Sequence, residues 1–453
     1  MGRKGKTDRD SYRQIMLLAL PIVIQNLFSA AISSADVIML NSVGQSSISA
    51  VSLATQYSSV LYMVFYGLGT GATMLCAQYW GKGNLDAIEK VEGIALRFSF
   101  GISLLFALPA AAVPRLMMTV FTSDEELIQI GASYLRVISI SYLCWGFSEV
   151  YLSVLRSIER VKISTVLNVG VLLINISLNA VFIYGLFGAP HLGAQGVAIA
   201  TSISRVIQLI ACFGVSAVSK DVHLRPQAMF RKSGALLQDF LRLSVPALGN
   251  DIIWSVGFSM YSVIMGHMGS DVVAANSIVV VVRNFGTVLC YSIGSAAGIF
   301  VGKEIGANRI EDADRDASRS MKLTVAGGIF GGVLVAVCIP FVLSYASLSE
   351  TAMGYLKVML WINTYYIMGT AVNTTLIAGI FRAGGDSRFG LICDTIDMWC
   401  YAVPLGFLAA FVLKLPPMWV YFLLCTDEFV KWPWVLHHYK SRKWLKNITR
   451  EDV

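Results

Sequence analysis

The sequence predicts an all-α integral membrane protein: twelve transmembrane helices in two six-helix lobes that form parallel repeats. Three observations carry this. Hydrophobic residues make up 56% of the 453 and charged residues only 14%, against about 25% charged in soluble proteins, with a mean hydropathy of +0.66. The apolar residues also fall into long runs, each near or above the roughly 20 residues a helix needs to cross a bilayer. Finally, a gapless shift of 225 residues aligns Pro21 with Pro246, Gly44 with Gly269, Ala50 with Ala275, Gly69 with Gly294, Ala72 with Ala297 and Gly81 with Gly306. Proline, glycine and alanine are the residues whose backbone effects a repeated fold must keep.

In chain order the first six runs cover roughly 15–41, 48–80, 95–118, 127–153, 163–187 and 193–218. The second six cover roughly 237–267, 272–302, 321–346, 352–380, 389–413 and 417–438. A charged segment, Gly2 to Arg13, precedes the first run, which is longer than the apolar core of about 7 to 15 residues of a signal peptide, so the first helix is expected to be retained. Runs beyond the minimum length imply tilt or kinks. The resulting division is a tail at 1–14, a first lobe at 15–218, a basic linker at 219–236, a second lobe at 237–438 and a tail at 439–453. Lys and Arg gather in both tails and in the connections after even-numbered helices, while the loops after odd-numbered helices hold almost none, with Arg115 and Lys414 the main exceptions. The positive-inside rule therefore places both termini in the cytoplasm. This bias accounts for the net charge of +7 and calls for no nucleic-acid partner. An even number of helices per half makes both halves enter from the same side, an arrangement common among alternating-access transporters.

Asp36 stands inside the first apolar run. An ionised carboxylate at that depth costs roughly 2.5 to 3.5 kcal/mol on insertion scales, which makes it a functional-site hypothesis. Pro21, fifteen residues earlier, removes a backbone hydrogen bond and offers a place for the helix to bend; a static kink serves packing equally well.

The run Leu20-Pro21-Ile22, then Ala35-Asp36-Val37 and Gly44, "GATMLCAQYWGKG" at Gly71 to Gly83, "LRSIERVK" after the fourth helix, "GVAIAT" at Gly196 to Thr201 and "FRAGGDSRF" at Phe381 to Phe389 together resemble the multidrug and toxic compound extrusion (MATE) family. The resemblance covers nearly the whole chain. It implies an efflux transporter in the cytoplasmic membrane that exchanges drugs or toxic organic compounds, cationic or amphiphilic, for sodium ions or protons, with no other cofactor. It also implies a cation or proton site in the first lobe made by Asp36, by Asn175 and Asn179 on the fifth helix and by Thr201 early in the sixth. Sodium, if it is the coupling ion, would take all four as ligands. Many relatives carry Asp where this chain has Asn179, which removes one negative charge. The acids that some relatives carry in the second lobe fall here at Trp254 and Ala371, so the resemblance points to the bacterial, DinF-like branch with coupling in the first lobe.

Helix geometry agrees with the grouping. At 1.5 Å per residue Asp36 lies roughly 8 Å below the outer end of its helix, and Asn179 and Thr201 roughly 12 Å below theirs. Asn168, Asn175 and Asn179, spaced seven and four apart, share one helical stripe. Such a stripe can equally hydrogen-bond helices together.

The second lobe holds Asp251, Arg283, Asp394, Asp397, Asp427, Glu428 and Lys431, an expensive set unless paired. A structural ion network is expected, with Asp251 and Arg283 as its first candidate pair. Met260 and Tyr261 are candidates for an adaptable substrate cavity, and Tyr261 is the repeat counterpart of Asp36. Gly327, Gly328, Gly331 and Gly332 form overlapping GxxxG pairs on the ninth helix, a pattern of close helix contact. The eight cysteines stand singly in apolar segments, and the histidines at 191, 223, 267, 437 and 438 are scattered. No HExxH, CxxC or nucleophile elbow occurs, which argues against an enzyme. A lipid-linked oligosaccharide or lipid flippase of a related fold is the alternative; those are usually longer, fourteen-helix chains. Two lobes in one chain make a monomer sufficient.

Overall fold

The computed structural model describes residues 8–41, 45–219, 221–231, 234–346 and 348–451, with side chains described for all of these except 8, 9, 32–38, 40, 41 and 45. The first expected tail and the linker thus lie partly outside the described residues, at 1–7, 220 and 232–233.

Helix α1 spans Asp8–Asn41, α2 Gln45–Lys82 and α3 Leu85–Ala112, and a short α4 covers Pro114–Thr119. Next come α5 (Glu125–Ser157), α6 (Val161–Tyr184), α7 (Gly193–Val218), α8 (Gly234–Gly266) and α9 (Ser270–Gly306). They are followed by α10 (Ile310–Tyr345) and α11 (Glu350–Asn373), which runs on through a wide-turned π segment, Thr374–Phe381. No strand occurs among the described residues. Nine of the described helices are long and apolar enough to cross a membrane, and the architecture is the twelve-helix, two-lobe membrane fold.

The ends of the helices follow local chemistry. Asn84 caps α3 by accepting from the Ala87 amide at 3.0 Å, Asp124 caps α5 from the Glu126 amide at 3.0 Å, and Ser349 caps α11 from the Ala352 amide at 3.1 Å; each satisfies an amide that the first turn leaves without a partner. Gly185 ends α6 in the left-handed region, at φ 65°, where a side chain is disfavoured.

Two helices start well before their apolar runs, α3 at Leu85 instead of 95 and α10 at Ile310 instead of 321. Their first turns are charged and are held by ion pairs: Asp86 with Lys90 at 2.8 Å, and in α10 Asp312 with Arg315 at 2.5 Å and Asp316 with Arg319 at 2.7 Å. Hydropathy marks the hydrocarbon thickness, whereas backbone bonding continues into the interface.

The eleventh span is not one regular helix. It is α12 (Ser387–Ile396), a π segment (Asp397–Ala402), α13 (Val403–Phe407) and a second π segment, Leu408–Val412. Pro404 has no N–H to return to the carbonyl of Cys400, and the widened turns lie on either side of it. The twelfth is likewise divided, into α14 (Pro417–Leu424), α15 (Asp427–Val430) and α16 (Trp432–Lys440).

Two compact units are present. One comprises Ile24–Tyr79 with Asn84–Ser244; its core includes Phe65, Tyr134, Leu135 and Tyr142. The other comprises Val245–Glu451 together with Trp80–Gly83 and the start of α1 up to Val23. Ser11 on that first stretch accepts a hydrogen bond from Arg319 at 2.9 Å.

Within the second unit the glycines of α10 do what their spacing implies. A Cβ on Gly331 would lie 2.4 Å from the Gly286 carbonyl of α9, and one on Gly332 would lie 2.3 Å from the Thr364 carbonyl of α11. Gly332→Val is expected to push these helices apart at about 1–3 kcal/mol, read as a lower unfolding midpoint in detergent. An unchanged midpoint would mean that the contact is dispensable.

Candidate functional site: a polar cavity in the first lobe

α6 and α7, the fifth and sixth long helices, pack side by side. The asparagine stripe of α6 meets α7 along its length. Asn175 Nδ2 donates to Thr201 Oγ1 at 3.2 Å, and Asn179 Nδ2 donates to Asn175 Oδ1 at 3.4 Å. Lower on the same pair of helices, Gln208 Nε2 donates to Asn168 Oδ1 at 3.0 Å and Arg205 Nη1 donates to Gln208 Oε1 at 2.8 Å. Asn179 is 1% exposed, while Asn168, Asn175 and Thr201 are half-buried and line a cavity of about 300 Å³. Three of the four residues expected to share a site, Asn175, Asn179 and Thr201, are therefore brought together, and Asn168 faces the same space. The side chain of the fourth, Asp36, lies outside the described residues; its backbone belongs to α1.

Pro21 stands inside α1, and the helix continues on both sides of it. Further along the same helix, Gln25 and Ser29 line the cavity. An aromatic wall faces them: Tyr62 of α2 stacks on Trp145 of α5 at 5.8 Å and 17°, and the Arg205 guanidinium carbon lies 4.5 Å from the Trp145 ring centre. Glu149 also lines the cavity and is paired at 3.0 Å with Arg156, which in turn donates to Ser153 at 2.8 Å. The cavity thus joins amide and hydroxyl oxygens, suited to a small hard cation, to flat rings and an acid, suited to an organic cation. Sequence reasoning missed Tyr62, Trp145, Glu149 and Arg205 as neighbours. The signal was there for Glu149, an acid in an apolar run like Asp36.

The second lobe differs from expectation in its pairing. Asp251 does not meet Arg283: its Oδ1 lies 2.6 Å from Arg382 Nη2. Arg283 instead lies over the rings of Phe258, at 4.4 Å, and Tyr366, at 5.8 Å. Adjacent helices gave no means of choosing between two buried arginines, and Arg382 follows the π segment of α11, whose extra width a regular helical register does not anticipate. Asp394 and Asp397 do belong to one network, at 3.2 and 3.3 Å from Lys431 Nζ, with Glu428 at 3.3 Å. Tyr261 is buried and donates to Asp427 Oδ2 at 2.7 Å, while Met260 is half-buried against the second unit's core.

The MatE family model matches residues 21–181 and 246–408. The two matched stretches begin at the repeat-related Pro21 and Pro246. The chain is 25% identical over 451 residues to the uncharacterized transporter YisQ of Bacillus subtilis (strain 168), covering 97% of each. It is 26% identical over 428 residues to the probable multidrug resistance protein YoeA of the same organism, covering 90% of this chain and 89% of that protein. Of solved structures, a MOP superfamily transporter from Pyrococcus furiosus is similar at a TM-score of 0.84 and 18% identity, covering 98% of this chain and 100% of that one. A variant of the Vibrio cholerae MATE transporter VcmN is similar at 0.86 and 16%, covering 97% and 99%.

Proposed function

We propose that this chain, which belongs to the MatE family of membrane transporters, exports small organic molecules across the cytoplasmic membrane in exchange for a proton or sodium ion bound in its first lobe. It is a transporter and not an enzyme. The observation that carries the reading is the first-lobe cavity, which Asn175 and Thr201 line together with Tyr62, Trp145 and Glu149. Asp36 follows Gln25 and Ser29 by eleven and seven residues, a spacing that keeps one stripe of a helix. In this reading Asp36 supplies the exchangeable charge, and Asn175, Asn179 and Thr201 supply neutral oxygens around it. Cation entry from outside neutralises the lobe and favours release of the exported molecule. Relatives named as multidrug resistance proteins support organic substrates, and the rings with Glu149 favour cationic or amphiphilic ones. The Lys and Arg bias supports cytoplasmic termini, and one chain suffices.

The test is ethidium flux in proteoliposomes under a proton gradient or a sodium gradient imposed separately. Export that follows one gradient and collapses when that gradient is dissipated is expected; accumulation indifferent to both overturns the reading. Asn179→Asp restores the charge that many relatives carry. It is expected to shift the driving ion toward sodium, because two carboxylates repel one another unless a cation lies between them. An unchanged ratio of sodium-driven to proton-driven flux would remove Asn179 from the site.

A further inference from the structure

The second lobe holds four carboxylates around one ammonium. Lys431 Nζ lies 3.2 Å from Asp394, 3.3 Å from Asp397 and 3.3 Å from Glu428, and Asp427 adjoins Glu428 in α15. All four acids are between 1% and 5% exposed, and Lys431 is 4% exposed. They are not equally well supported. Asp394 also accepts from Asn250 Nδ2 at 2.6 Å. Glu428 accepts from Asn373 Nδ2 at 2.5 Å and from Thr370 at 3.5 Å. Asp397 Oδ1 and Asp427 Oδ1, by contrast, are buried without a hydrogen-bond partner. The nearby Arg382 is committed to Asp251 at 2.6 Å and to Asn250 at 2.8 Å.

If all four acids were ionised, one lysine would leave three buried negative charges uncompensated. Each such charge costs several kcal/mol, and the available relief is a proton on the acids with the fewest donors. Asp397 and Asp427, each with an oxygen that lacks a donor, are where a proton relieves the most charge. Space for a water adjoins one of them. Tyr261, which donates to Asp427 at 2.7 Å, lines a cavity of about 20 Å³ together with Arg283, Tyr366, Tyr421 and Cys425. That exceeds the roughly 10–15 Å³ that a water needs.

We propose that Asp397 and Asp427 form a proton-exchanging site of the second lobe, reached through Tyr261 from a water-sized cavity. The titratable and charged groups that face it are Asp394 and Cys393 from α12, Glu428 and Lys431 from the twelfth span, Tyr261 from α8, Arg283 from α9, Tyr365 and Tyr366 from α11, Tyr421 from α14 and Cys425 before α15. A hydronium in the cavity gives its proton to the Tyr261 oxygen as the phenol proton passes to Asp427. This leaves a water, an intact phenol and a neutral acid. The site is independent of the first-lobe reading.

The test is infrared spectroscopy of the reconstituted full chain carrying Asp36→Asn, so that the result does not depend on the first lobe. Buried carboxylic acids give a C=O stretch that shifts in heavy water and disappears on deprotonation. A component of this band is expected to be lost in Asp397→Asn or Asp427→Asn. Tyr261→Phe is expected to keep the band and slow its exchange into heavy water severalfold. Spectra of both asparagine variants that superimpose on the parent overturn the site, and unchanged exchange in Tyr261→Phe overturns the relay. Both asparagine replacements are isosteric; should either fail to fold, the tyrosine variant still decides whether exchange passes this way.

Discussion

Asp36→Asn is expected to abolish gradient-driven ethidium export, lowering the initial rate at least about tenfold, or about 1.4 kcal/mol of transition-state free energy. The amide keeps the volume and removes the exchangeable charge. In the proposed site it leaves Asn175 and Thr201, joined to each other at 3.2 Å, with no charge that changes between the loaded and empty states. A ligand shifts a two-state equilibrium only by its differential affinity for the two states. With the acid neutral in both, that difference vanishes and the drug no longer moves against its gradient. Downhill ethidium flux should persist, which separates uncoupling from misfolding. Uphill export at the parent rate would place the coupling elsewhere.

Lys431→Met is expected to be the most destabilising single replacement in the second lobe. It removes an ammonium held within 3.3 Å of three carboxylates. Breaking a buried pair from one side costs about 3–5 kcal/mol, because the partner charge stays behind. Here several partners stay behind, and protonation of Asp394 or Glu428 offsets part of the loss. Lys431→Met combined with Glu428→Gln should therefore recover some of the unfolding midpoint lost in the single variant. Additive losses in the double variant would count against a shared network.

Much of the fold was legible because hydropathy and backbone chemistry are local. Each of the twelve expected spans corresponds to helical chain, and α2 and α9, the repeat partners, are 38 and 37 residues long. The departures have local causes of another kind. Charged turns held by ion pairs extend α3 and α10, and Pro404 forces widened turns into the eleventh span. The glycines of α10 were readable as a contact face, since small residues four apart leave room for a backbone and little else.

The candidate site was legible in part. Spacing of seven and four along α6 put Asn168, Asn175 and Asn179 on one stripe, and family resemblance supplied Thr201 from the next helix. Neither could supply Tyr62 and Trp145, which reach the cavity from α2 and α5. Those two side chains carry no sequence period that relates them to the stripe, whereas Arg205 stands one turn after Thr201 on α7.

By itself the sequence determined the class and the number of spans, and a shift of 225 residues exposed the repeat. The first two follow from sums over neighbouring residues, since a helix in lipid satisfies its own backbone and answers only to the length and polarity of its own segment. Tertiary structure decided the partners. Asp251 took Arg382 over Arg283, and Asp394, Asp397 and Glu428 gathered on Lys431. Those choices depend on distances of a few ångströms between segments up to 131 residues apart. In a low-dielectric interior the energy of a charge pair changes steeply over such distances, and no local sum contains them.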